Sequence, residues 1–102
     1  MTDFVHLHVH TEYSLLDGMA KVEDLMDHMQ KNGIDTCAVT DHGNMYASLY
    51  FAEECKKRGF KYIIGCELYV TDDMYDHRYG TKTEHIVLLA KNKTGYKNIV
   101  KL

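Results

Sequence analysis

Residues 4–18 read FVHLHVHTEYSLLDG, with histidines at positions 6, 8 and 10 and Asp17 seven residues after the last of them. In an extended chain, residues i, i+2 and i+4 point to one face. The pattern therefore predicts a first strand over 3–9, with His6, His8 and His10 on one side and Val5, Leu7 and Val9 on the other. Neutral imidazole binds Zn, Fe, Ni and Cu readily and also accepts Mn. His6 and His10 would lie roughly 13 Å apart on a straight strand at about 3.3 Å per residue. All three cannot hold one ion at that span. One adjacent pair is the expected chelate, and the spacing leaves open which.

Working outward, the chain alternates helical and extended patterns. Residues 11–18 read as a loop. Residues 21–32 read as a helix, with Val22, Leu25, Met26 and Met29 at i, i+3, i+4, i+7 spacing and Gly33 as its stop. A short apolar strand over 36–40 runs straight into Asp41, His42 and Gly43, a polar tip of the kind that carries chemistry in α/β folds. A second helix is expected over 45–58, closed by Gly59, with Lys56, Lys57 and Arg58 as a solvated, dipole-complementing end. Residues 60–71 read as a third strand. Glu67 sits inside that apolar run, and a buried unpaired carboxylate is very costly, so it needs a partner. Residues 72–84, with Asp72, Asp73, Asp76 and His77, read as a solvated connection. A strand over 85–90 opens on His85, and a helix begins at 94. The order β-α-β-α-β-β-α predicts an α/β domain with mostly parallel strands.

Composition narrows the function classes. The 102 residues fit one small domain, 45% hydrophobic and 26% charged, with a net charge of −3. That charge argues against a general polyanion-binding surface, while leaving nucleic acid open as a substrate held through metals. No apolar run approaches the length of a membrane span, and there is no signal-peptide pattern. Cys37, Cys55 and Cys66 are odd in number and form no CxxC pair, which fits a reducing cytoplasm rather than a disulfide framework or a thiolate zinc site. The candidate ligands are His8, His10, Asp17, His42, Glu67 and His85, with His6 and Asp41 beside them. Nitrogen and oxygen donors without thiolates suit Zn, Mn or Fe. Such clusters can hydrolyse phosphate esters.

Four segments, HLHVHTEYSLLDG, AVTDHGNMY, IIGCELYV and HIVLLAKN, resemble in this order the opening of the PHP (polymerase and histidinol phosphatase) domain family. YSLLDG points to the branch found at the N-terminus of bacterial DNA polymerase III alpha subunits rather than to the phosphatases. The resemblance covers nearly the whole chain. It implies the first half of a distorted (βα)7 barrel that binds up to three divalent ions at the C-terminal ends of its strands. His8 and His10 match the first-motif ligands, and His6 a position that is usually not a ligand. Asp17 and His42 would serve one metal. Glu67 matches a carboxylate bridging the other two, and His85 the histidine that completes the second. Asp41 would support His42 from behind. Glu67, His8, His10 and Asp17 would carry catalysis.

The resemblance also implies a parent protein that synthesises DNA and pairs with other replisome subunits, with a 3′–5′ exonuclease activity in the PHP site. Two other roles are open: a structural module that docks a proofreading subunit, or a small-molecule phosphomonoesterase. The family's later ligands match nothing in these residues, so 1–102 is expected to be the N-terminal portion of a single PHP domain. A half barrel leaves a strand edge and an apolar flank open, so self-association is expected.

Overall fold

The computed structural model describes residues 4–14, 18–76 and 82–102; Asp17 and His77 lie outside these. Its elements are α1 (Val22–Lys31), β1 (Thr36–Val39), α2 (Ser48–Arg58), β2 (Lys61–Val70), β3 (Glu84–Leu89) and α3 (Lys93–Lys101). All three expected helices and three of the four expected strands are present, shifted by a few residues at most.

The helical stripe read from the sequence is the core. Val22, Met26 and Met29 of α1 are buried against Phe51 and Cys55 of α2 and against Cys37 and Val39 of β1. Arg58, expected as part of a solvated end, instead ties the two helices together: its Nη1 lies 2.7 Å from Asp27 Oδ1. Helix α2 stops at Gly59, which takes the left-handed conformation (φ 72°) and lets Phe60 N–H donate to Cys55 O at 2.8 Å.

The sheet order is β1-β2-β3, and β2 is its spine. The first half of β2 pairs in parallel with β1, Thr36 opposite Lys61 through Val39 opposite Ile64. The second half pairs antiparallel with β3, Gly65 opposite Leu89 through Val70 opposite Glu84. The parallel β1–β2 pair is what the alternating pattern requires; β3 reverses direction. At the changeover, a Cβ on residue 65 would lie 2.4 Å from Leu88 O, so only glycine lets the two strands approach there.

The expected first strand over 3–9 is corrected by the structure. Its described residues, 4–9, make a single parallel bridge, His6 to Cys37, and no ladder. Ala38 N–H donates to His6 O at 2.9 Å and Thr40 N–H to Val9 O at 2.8 Å. The return bond fails as a strand bond because Val9 N–H donates to the Thr40 hydroxyl, at 2.8 Å, rather than to a main-chain carbonyl. Of the three apolar residues expected on the inward face, Val9 packs on the core, whereas Leu7 is largely exposed.

Candidate metal centre

The functional side chains come from three places: the extended N-terminal segment, the loop after β1, and the paired ends of β2 and β3. Glu67 lies in β2, and His42 makes an isolated parallel bridge to it. Tyr69, two residues on, points to the same face as Glu67. His85 is the direct partner of Tyr69 on β3. The antiparallel turn of β3 therefore puts His85 on the face that carries Glu67.

Glu67 is 6% exposed and is the hub of this face. Its Oε2 lies 3.0 Å from His8 Nε2 and also contacts His10 Nε2. Its Oε1 lies 3.4 Å from His85 Nδ1. One carboxylate thus faces imidazoles with each of its oxygens. Burial alone pushes the Glu67 carboxyl up, but the hydrogen bonds and charge of His8 and His10 outweigh it and hold the carboxyl below its ordinary value.

His42 stacks on His10, with ring centroids 5.6 Å apart, and meets His85 edge-on at 4.6 Å. The ligand candidates His8, His10, His42, Glu67 and His85 therefore gather in one place. Asp17 falls outside the described residues. His6 turns away to pack edge-on with Phe4 at 4.7 Å.

Donor atoms of His8, His10 and Glu67 lie within 4.8 Å of one another, close enough to share one ion. Two imidazole nitrogens and a carboxylate oxygen suit a borderline divalent metal. No thiolate competes, since the buried Cys66 thiol donates to the carbonyls of Asp41 and Asn44, at 3.4 Å each.

Asp41 supports the His42 loop through Ser14. Its buried carboxylate accepts from Thr11 N–H at 2.5 Å, from the Thr11 hydroxyl at 2.8 and 3.0 Å, and from the Ser14 hydroxyl at 2.9 Å. Ser14 Oγ in turn accepts from His42 N–H at 2.8 Å. Asp41 therefore clamps the segment just after His10 onto the loop that carries His42. Sequence reasoning passed over Thr11 and Ser14 as loop residues. Their only advance signal is a Thr and a Ser within four residues of a ligand candidate. Tyr69 was also missed. Its ring centroid lies 4.7 Å from that of His42 and 5.0 Å from that of His85.

The sequence has curated relatives. The DNA polymerase III subunit alpha of Treponema pallidum is 47% identical over an alignment covering 97% of this chain and 9% of that protein. The subunit of the same name from Borreliella burgdorferi is 44% identical, with the same coverage. That from Thermus aquaticus is 41% identical over 97% of this chain. The chain thus spans about 9% of the length of the curated relatives it matches. The PHP domain model matches residues 6–102, from the first histidine of the HxHxH run to the last residue of the sequence. With His8 and His10 of the run, His42 of the TDHG loop and the carboxylate of β2 gathered around one point, and with the domain model matching residues 6–102, the chain belongs to the PHP domain family.

Proposed function

We propose that residues 1–102 form the N-terminal portion of a PHP metal centre within a longer DNA polymerase chain, and that this centre is a phosphoesterase acting there as a 3′–5′ exonuclease. The observation that carries the reading is the two-sided Glu67 carboxylate, with His8 and His10 at one oxygen and His85 at the other. Such a carboxylate suits a bridge between two neighbouring ions of Zn, Mn or Fe. His8 and His10 would hold one ion and His85 the other, with Asp17 and His42 serving a third. Ions of this kind lower the pKa of water and stabilise charge on phosphate oxygens. The chain's own share is orientation: Asp41 fixes the His10 segment, and the β2–β3 pairing fixes Glu67 against His85.

DNA would reach the site as the strand under synthesis, and the partners would be other replisome subunits. The three buried free thiols support a reducing, cytoplasmic setting. Among the described residues no helix is long and apolar enough to cross a membrane. Exposed Leu7 and Ile86 support self-association of the 102-residue chain. Sedimentation as a clean monomer at high concentration would count against that last point.

A second reading has its own observation. The N-terminal segment lacks a strand ladder, and the contacts of His8 and His10 with Glu67 tie it to β2. Metals there could serve as staples that stabilise the polymerase and support docking of a proofreading subunit. Replacing Glu67 or His8 by Ala in the full-length protein separates the two readings. Loss of exonuclease activity with nucleotide addition largely intact is expected. Loss of both together favours the structural role.

A further inference from the structure

We propose that Tyr69 is a stacking platform for the terminal base of a single-stranded nucleic acid whose phosphate lies at the Glu67 group. The proposal rests on the phosphoesterase reading and names how that site grips its substrate. Four observations lead to it.

Tyr69 and Glu67 alternate on one strand and so share a face, with Cα atoms roughly 7 Å apart. The ring is held by His42, tilted against it at 30° with centroids 4.7 Å apart, and by His85, which meets it in a T at 5.0 Å. A ring fixed in this way has already lost the freedom that stacking would otherwise take from it. It nonetheless stays 57% exposed, beside two other open candidates, His8 and His85, whose side chains are 55% and 47% exposed. Tyr69 and His85, in contact with each other, are thus both open to an incoming strand. Finally, the net charge of −3 gives residues 1–102 no general pull on a polyanion, so what they contribute to holding a strand comes from the group itself and from the bases. Every base has a π-face, so an aromatic platform grips a terminal nucleotide without regard to sequence. A proofreading exonuclease requires that tolerance.

The test compares wild type, Tyr69→Ala and Tyr69→Phe in the full-length protein. The substrates are a single-stranded oligonucleotide and the same strand ending in an abasic nucleotide. The expected result is that Tyr69→Ala raises KM for the ordinary strand roughly tenfold, within the span measured for base–aromatic stacking. The effect falls on KM rather than on kcat. Tyr69→Phe, which keeps the ring, restores the lower KM. On the abasic strand wild type and Tyr69→Ala become equal. Zinc affinity, read by competition with a chromogenic chelator, is the same for all three proteins.

A fall in zinc affinity of severalfold in Tyr69→Ala with no change in KM would overturn the platform, because Tyr69 would then act by positioning His42 and His85. A KM difference that persists on the abasic strand would overturn it too. If wild type hydrolyses no strand at all, the exonuclease reading fails, and a non-catalytic readout decides the platform separately. A 3′-terminal 2-aminopurine whose fluorescence is quenched by wild type and Tyr69→Phe but not by Tyr69→Ala upholds it. Equal fluorescence with all three sinks it.

Discussion

Two regions meet at β1 and are held by different means. On the helical side, β1 is backed by α1 and α2 through Val22, Met26, Met29, Phe51 and Cys55, a close-packed apolar layer. On the other side, the N-terminal segment lies along β1 with one bridge, and side chains do most of the holding. Thr40 Oγ1 takes the Val9 N–H, and the Asp41 carboxylate takes Thr11 and Ser14. The apolar side depends on volume and area, which many sequences can satisfy. The polar side depends on particular atoms at particular distances. The difference teaches where the two halves of the candidate site get their geometry: the His10 and His42 segments from a buried carboxylate and two hydroxyls, Glu67 and His85 from the β2–β3 pairing.

The contrast can be broken at its strongest point first. Phe51 is fully buried between α1, α2 and β1. Phe51→Ala should cost about 3–5 kcal/mol. Chemical denaturation should show this as one cooperative loss, with α1, α2 and β1 becoming exchange-labile together.

Asp41→Asn comes next. The amide keeps the size but gives up the charge that four hydrogen bonds share, so a loss of about 2–3 kcal/mol is expected. Hydrogen exchange should locate the loosening in 4–14 and in the loop at 41–44, with the helical layer still protected. Uniform loosening of the whole chain would mean that the two regions are not held separately. Thr40→Val is a finer cut. It removes only the hydroxyl that accepts the Val9 N–H, at a cost of about 1 kcal/mol, and exchange at Val9 should quicken before any other amide.

The effects of pH have opposite signs in the two regions. Burial, and to a smaller extent the neighbouring Cys55, push the Cys37 thiol up to about 11; burial, with Glu54 adding to it, does the same for Cys55. A group whose pKa is raised by folding stabilises fully below its unfolded value, and that contribution is lost as pH rises through the folded value. The apolar layer should therefore weaken between about pH 9 and about pH 11. In the native state both thiols should resist alkylation at pH 8.

Glu67 is held below its ordinary value, so its contribution is present above the usual carboxylate range and is lost as pH falls through that range. With a chelator present to remove metals, region-resolved exchange should show acid loosening the Glu67 face first and alkali loosening the helical layer first. The reverse order would mean that these groups do not govern the two sides.

Much of this was legible in the residues. The 3.6-residue stripe of Val22, Leu25, Met26 and Met29 marks α1 because a helix on a sheet needs one apolar face, and Gly33 and Gly59 stop their helices for conformational reasons that hold anywhere. Glu67 drew notice because a charge inside an apolar strand requires a partner. The histidines at alternate positions drew notice because strand periodicity puts them together.

The same periodicity led to a strand over 3–9 that is absent. Alternation describes which way side chains point, and an extended segment held by side-chain bonds alternates just as a strand does. Whether a ladder forms depends on what the neighbour offers, and Thr40, just past the end of β1, takes the Val9 N–H with its hydroxyl.

By itself, then, the sequence determined the elements whose causes are local: the helices, their stops, the apolar strands and the list of side chains able to bind metal. Tertiary structure alone decided three things. It ran β3 antiparallel to β2, with glycine at 65 permitting the close approach to Leu88, and so placed His85 beside Tyr69. It turned Asp41 toward Thr11 and Ser14. It set both oxygens of Glu67 against histidines from separate parts of the chain. Each of these is a meeting of groups some 20 to 60 residues apart in the sequence. Such meetings are set by the packing of whole elements, and no local rule of periodicity or propensity reaches that far.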